Sequence, residues 1–300
     1  MGTYVAMANY LVGAVEECRA PPFTSRIVKN VIMTYPQFSL LREVVSTRGK
    51  FKPIMITPLI DSEGHALYST YEPGGVYLPI KLRPNEEYTV KIGVATDNHD
   101  VIEELAMLDG VFKTEYGRFI FRVGTVEVTS IDALTFDFGR YFKIRFLTPT
   151  ILTNKVMLPP PLMDKARKVP NRHRLLPTPS YIFNFLIKLW NALVPDELKL
   201  PKPGSDLWGA YRFGRISDIV INEVDFRVKA VTAICGKDSA GRLREIRGFV
   251  GWVLYELSYP HPKLKKVYSK LLALANHLGI GRSRAIGFGH VTITKADRPK

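Results

Sequence analysis

The sequence predicts an α+β protein made of two tandem ferredoxin-like (RRM-like, βαββαβ) domains. Three observations lead there. Short runs rich in β-branched and aromatic residues read as strands, a few segments repeat their apolar residues at helical spacing, and the order strand, helix, strands, helix, strand occurs twice in 300 residues. The expected domains are 1–139 and 140–300, with the boundary near Asp137 to Arg140.

In order, Thr3 to Val15 reads as a buried first strand, and Ser25 opens a helix whose Ile27, Val28, Val31 and Ile32 share one face. Pro36 ends that helix, and Leu40 to Val45 is a second helical piece. Extended runs follow at Pro53 to Leu59, Ala66 to Tyr71 and Tyr88 to Val94. Asp97 or Asn98 then caps a short helix, Val101 to Leu108, and Phe112 to Val128 closes the first half as one or two strands. The second half begins with a strand, Tyr141 to Leu147, and a basic, proline-rich stretch from Pro159 to Pro177. A helix starts at Pro179, with Ile182, Phe183, Leu186, Leu189, Trp190 and Leu193 as its core stripe. Pro195 to Gly209 reads as a linker, Ile219 to Ile234 and Leu243 to Leu257 as strands, Leu264 to Leu278 as a helix and Ala285 to Thr294 as a last strand.

Charge is unevenly spread. The chain carries 42 Lys+Arg against 28 Asp+Glu, a net charge of +14, which favours a polyanionic partner. Residues 1–140 hold 14 basic and 17 acidic side chains, whereas residues 141–300 hold 28 and 11. Within the first half, Cys18 to Lys52 is nonetheless basic. The two cysteines form no framework, no run is long and apolar enough for a membrane helix, and no His/Cys spacing suggests a metal. A cytoplasmic protein without membrane contact, metal or cofactor is the expectation.

The sharpest motif joins the last helix to the last strand: Gly279-Ile-Gly281-Arg282-Ser283-Arg284-Ala-Ile-Gly287-Phe-Gly289. Its glycines allow tight turning and close approach, and its arginines supply forks for phosphate oxygens, so Gly279, Gly281, Arg282, Ser283, Arg284, Gly287 and Gly289 are candidate contacts to a phosphate chain. It lacks the Lys-Ser/Thr of a Walker loop and follows a helix rather than a strand. Arg172-His173-Arg174 reads as a further RNA-contacting loop through Arg172 and Arg174. His290, at the start of a strand, reads as structural or as an RNA contact.

This loop, together with Arg247-Gly-Phe-Val-Gly-Trp252, Phe146-Leu-Thr-Pro-Thr150, Leu158-Pro-Pro-Pro161, Phe51-Lys-Pro53 and Thr57-Pro-Leu59, resembles the CRISPR-associated endoribonucleases of the RAMP superfamily. The resemblance implies two ferredoxin-like domains and metal-independent cleavage of precursor CRISPR RNA within its repeats, by attack of a ribose 2′-OH on the neighbouring phosphate. Many members place a histidine on or after the first helix. Here that stretch reads Leu41-Arg42-Glu43, and the chain resembles the His-less archaeal members, in which lysine and arginine replace the imidazole. That match implies Lys29 and Lys52 as the catalytic pair, with Arg26 and Arg247 stabilising the phosphate. Arg48 and Lys50 are implied RNA contacts, and sequence leaves Lys50 and Lys52 as alternatives. The partners implied are CRISPR repeat RNA, as precursor and as processed guide, and CRISPR effector-complex proteins; a homodimer is allowed. The alternative function is a noncatalytic RAMP subunit that holds repeat or guide RNA.

Overall fold

The computed structural model describes residues 2–49, 51–71, 79–200, 207–237 and 241–297. The chain folds into two compact units. One comprises Met1–Thr129, Val231–Arg247 and Ser283–Phe288, and the other Ser130–Ala230, Gly248–Arg282 and Gly289–Lys300.

In the first unit the elements are β1 (Tyr4–Ala14), β2 (Cys18–Arg19), α1 (Ser25–Thr34), α2 (Ser39–Ser46), β3 (Ile54–Ile56), β4 (Lys81–Leu82), β5 (Glu87–Thr96), α3 (His99–Ala106), β6 (Gly110–Thr114) and β7 (Gly117–Ser130). The main sheet runs β3-β5-β1-β7-β6. β1 lies inside it, antiparallel to β5 from Tyr4 opposite Thr96 to Gly13 opposite Glu87, which explains its nearly continuous apolar run. α1 buries Ile27, Val28, Val31 and Ile32, as their spacing predicts. It stops at Thr34 because Tyr35, preceding Pro36, is extended with φ −89 and ψ 129. Asn98 caps α3 by accepting from the Asp100 amide at 2.9 Å.

The second unit contributes β8 (Tyr141–Thr150), β9 (Leu152–Thr153), β10 (His173–Arg174), α4 (Pro179–Leu193), α5 (Leu207–Val220), β11 (Ile221–Lys237) up to Ala230, β12 (Leu243–Leu257) from Gly248, α6 (Pro262–Leu278) and β13 (Val291–Ala296), the rest of β11 and β12 belonging to the first unit. The sheet order β11-β12-β8-β13 places the first and third strands of a βαββαβ repeat at its centre, and the β3-β5-β1-β7 part of the other sheet follows the same rule. The expected stripe of α4 is core: Ile182, Phe183, Leu186, Leu189 and Trp190 are buried. Tyr268 of α6 packs edge-on to Phe183, with ring centroids 4.8 Å apart, and shares a 3.0 Å hydrogen bond with Ser217.

Three local expectations are corrected. Ala66 to Tyr71 forms only isolated bridges, among them Phe23 with Tyr68 and Thr70 with Ala233. The last strand begins at Val291 rather than Ala285, because Gly287 and Gly289 adopt φ +97 and +69, outside extended geometry. The helix α5 begins inside the expected linker. Gly209 and Gly214 weaken its helical signature, yet a Cβ at Gly214 would stand 2.9 Å from Met157 Sδ and 3.0 Å from the Ser180 carbonyl, so close packing requires the glycine.

Candidate active site

α1 turns its apolar face to the core and leaves Arg26 and Lys29, three residues apart, half-buried at the margin of that face. Lys52 lies just before β3, and its Nζ donates to the Val45 carbonyl at 2.8 Å, in the last turn of α2. A cation there complements the negative end of the helix dipole. Burial lowers the pKa of the Lys29 ammonium below that of an ordinary lysine, and the charges of Lys52 and Arg26 lower it further. Burial also lowers that of Lys52. The structure thus brings Lys52 and Arg26 each within electrostatic reach of Lys29.

Arg284 belongs to the same compact unit. Its side chain is only 3% exposed, and Nη2 donates to the Lys52 carbonyl at 2.7 Å. Burial pushes its pKa down to about 9, which still leaves the guanidinium charged at neutral pH. The expectation that Arg284 offers an open fork to phosphate is therefore corrected: the fork faces inward and holds the backbone of Lys52.

The glycines of the loop are corrected in the same sense. A Cβ at Gly287 would stand 2.8 Å from both Phe23 Cδ1 and Ser25 Oγ, one at Gly281 would stand 2.6 Å from the Ile151 carbonyl, and one at Gly289 would overlap the Ile280 carbonyl. Gly279, with φ +70, ends α6 and donates to the Ala275 carbonyl at 2.8 Å. Several loop amides are bonded internally: Ile280 to the Gly289 carbonyl, Arg282 to that of Ile151, Phe288 to that of Ser283 and Gly289 to that of Pro149. The close approach that needs glycine is to the protein's own backbone and side chains. Ser283 is exposed and Arg282 half-buried, so these two remain accessible from the loop.

Arg26 donates to the Cys235 carbonyl and lies against Gly236, whose φ is +120 and where a Cβ would stand 2.9 Å from the guanidinium. It also hydrogen-bonds Tyr116. Its guanidinium thus ties α1 to the end of β11. Arg247 is exposed on β12, and Arg48 is exposed after α2. Lys50 lies outside the described residues. Arg172 and Arg174 are exposed, the former bonded through its amide to Asn154 Oδ1 at 3.1 Å, the latter donating to Tyr181 at 2.6 Å. His173–Arg174 pairs with Leu152–Thr153, so the expected loop is partly a β-ribbon. His290 is 4% exposed, its amide donating to Thr148 Oγ1 at 2.9 Å.

Sequence reading missed Glu104. Its buried carboxylate accepts from the amides of Leu40 at 3.0 Å and Leu41 at 2.8 Å, holding the start of the helix that ends at the Lys52 ammonium. The signal in the sequence was an acid between Val101 and Leu105 on an apolar face. Among the described residues, no group of three or more His, Cys, Asp or Glu could hold a metal ion, and no helix is long and apolar enough to cross a membrane. Cys18 and Cys235 are free thiols.

The Cas6 N-terminal domain model matches residues 7–129, and the model for the CRISPR-associated endoribonuclease Cas6 matches residues 144–291. CRISPR-associated endoribonucleases Cas6 1 and Cas6 2 of Saccharolobus solfataricus are each 27% identical over 290 residues, 95% of this chain and 94% of the relative. Among solved structures, a Cas6 product complex superposes with a TM-score of 0.61 at 18% identity, covering 98% of this chain and 100% of the other. Thermus thermophilus Cas6 gives 0.60 at 16%, covering 98% and 99%. These structural likenesses show the tandem ferredoxin-like fold. With both halves matched by Cas6 models, the chain belongs to the Cas6 family of CRISPR-associated endoribonucleases, which process CRISPR RNA.

Proposed function

We propose that the chain cuts precursor CRISPR RNA within its repeats without a metal ion, and that Lys29 and Lys52 act at the scissile phosphate. The observation that carries this reading is the half-buried lysine pair with lowered pKa values, one member of which is held through its backbone by Arg284. Burial and two neighbouring cations all favour the neutral amine of Lys29, which suits it to take the 2′-OH proton. The 2′-oxygen then bonds to phosphorus as the bond to the 5′-oxygen breaks. Lys52, as ammonium, balances the added charge on the phosphate and protonates the leaving oxygen. The products are a 2′,3′-cyclic phosphate, open to later hydrolysis, and a 5′-OH end.

In this reading the domain 1–139 carries the lysine pair, and 140–300 supplies much of the basic RNA surface. Arg48, Arg172, Arg174, Arg247, Arg282 and Ser283 contact RNA, supported by their full or partial exposure. Arg26 acts mainly through its anchoring of α1. The partners are repeat RNA, before and after processing, and CRISPR effector-complex proteins, in the cytoplasm, where free cysteines stay reduced.

The test incubates the purified chain in EDTA with repeat RNA from the same genome, alongside RNA bearing a 2′-deoxy residue at the cut site. Cleavage of the first and survival of the second is the expected result. Failure to cut in EDTA, or cleavage of the deoxy RNA, overturns the mechanism, and a noncatalytic subunit would retard the RNA and return it intact.

A further inference from the structure

The corner between β12 and α6 carries a pattern that the cleavage site does not use. Its sequence, Ser258-Tyr259-Pro260-His261-Pro262-Lys263, sets each of two aromatic rings directly before a proline. A proline holds the residue before it away from helical geometry, and His261 is extended at φ −65 and ψ 127. The Ser258 amide donates to the Val220 carbonyl at 2.9 Å and the His261 amide to the Tyr259 carbonyl at 2.9 Å, so the backbone is fixed. The two rings nonetheless stay outside the core. Tyr259 is 58% exposed, His261 is exposed, and their planes lie 16° from parallel with centroids 6.1 Å apart.

Cations adjoin the rings. Lys263 and Lys266 are exposed and Lys265 is half-buried, all at the start of α6. Lys265 and Lys266 line a cleft of about 400 Å³ together with Thr135, Phe136 and Pro262. The carboxylate in that cleft, Asp137, is paired with Lys295 at 3.4 Å, whereas none of the three lysines has an ion-pair partner among the described residues. Near-parallel rings beside unpaired cations match the chemistry of a single nucleic-acid strand, in which every base offers a face for stacking and every phosphate a negative charge. An acidic peptide would answer the lysines alone. Because the prolines and backbone bonds already fix the corner, binding there orders little.

We propose that this corner is a further RNA-binding site, in the compact unit that does not carry the lysine pair, where Tyr259 and His261 stack on a nucleobase and Lys263 and Lys266 hold the adjoining phosphates. The proposal rests on the reading of repeat RNA as the partner. Stacking accepts any base, so the site contributes affinity and holds the strand without reading its sequence.

The experiment measures the affinity of the full chain for repeat RNA with its flanking sequence, carrying a 2′-deoxy residue at the cut site, by fluorescence anisotropy at several salt concentrations, with circular dichroism to verify folding. Tyr259→Ala should raise the dissociation constant about tenfold and His261→Ala about threefold, the order expected for a lost base stack, whereas Tyr259→Phe should stay within about twofold of wild type. Lys263→Gln combined with Lys266→Gln should weaken binding and lower the slope of log affinity against log salt by about 1.4, two single-strand phosphate contacts at about 0.7 each, while Tyr259→Ala leaves that slope unchanged. Ultraviolet cross-linking followed by mass spectrometry should place RNA on Tyr259. Wild-type affinity in Tyr259→Ala, an equal loss in Tyr259→Phe, or an unchanged salt slope in the lysine variant overturns the proposal and leaves the cleavage reading intact. Binding of poly-glutamate through these lysines, with RNA affinity unchanged in every variant, would make the corner a protein contact and overturns it too. A wild type that binds no repeat RNA overturns both.

Discussion

The guanidinium of Arg284 donates to the backbone carbonyl of Lys52 at 2.7 Å, across 232 positions of sequence, from a side chain with 3% exposure. The bond holds the backbone from which the Lys52 ammonium extends toward α2. Arg284→Ala removes it and is expected to destabilise the fold by about 1–3 kcal/mol, the cost of an unsatisfied buried carbonyl. Assayed well below the melting temperature, this variant should lose kcat at saturating repeat RNA with little change in KM. A rise in KM alone would assign Arg284 to RNA binding instead.

The lysine pair makes a pH prediction. The folded chain lowers the pKa of Lys29 below the ordinary 10.5, so between the folded value and 10.5 the unfolded chain binds more protons. Stability contributed by this group therefore increases as pH rises through that window, and below it the charged ammonium opposes folding. Lys29→Met should be at least as stable as wild type at neutral pH and should flatten this part of the dependence, as thermal melts from about pH 7 to pH 10 would show.

The same pair predicts an activity change. Lys29→Ala with Lys52→Ala should slow cleavage about a hundredfold or more while repeat RNA binding changes only a few-fold, since several exposed arginines remain. In Lys52→Met, removal of the neighbouring charge should move the rising limb of any residual pH–rate profile upward. Wild-type rates in the double variant would refute the assignment.

Glu104 supports the site from two elements away. Replacing it by Ala frees two amides at the start of α2, and the loss of charge-assisted bonds is expected to cost about 2–3 kcal/mol in denaturant unfolding. Because the Val45 carbonyl at the other end of α2 receives Lys52 Nζ, cleavage should fall as well.

Gly289→Ala would combine a strained φ of +69 with overlap of the Ile280 carbonyl, and should cost about 2 kcal/mol or more. Gly13→Ala, with open space around the added methyl, should stay within about 0.5 kcal/mol. Equal melting temperatures for the two would contradict the packing role assigned to the loop.

Much of the architecture was legible in local pattern. Ile27, Val28, Val31 and Ile32 set the face of α1, Pro36 set its end, and the two βαββαβ orders set the sheets, because helix and strand periodicity depends on near neighbours. α5 escaped because Gly209 and Gly214 look like breakers until the packing against Met157 and Ser180 is known. At the site, Lys29 and Lys52 came from family resemblance, and their electrostatic proximity comes from the fold.

The glycine loop divides the two sources of information. Its composition alone required tight turns and a close approach, since only glycine fits such positions without strain. It could not say what is approached. Arg282 and Arg284 are two residues apart and alike in sequence, yet one is half-buried and the other holds Lys52 from within. Burial is set by backbone brought in from distant segments, here the stretch before β3, and no local spacing encodes that arrival.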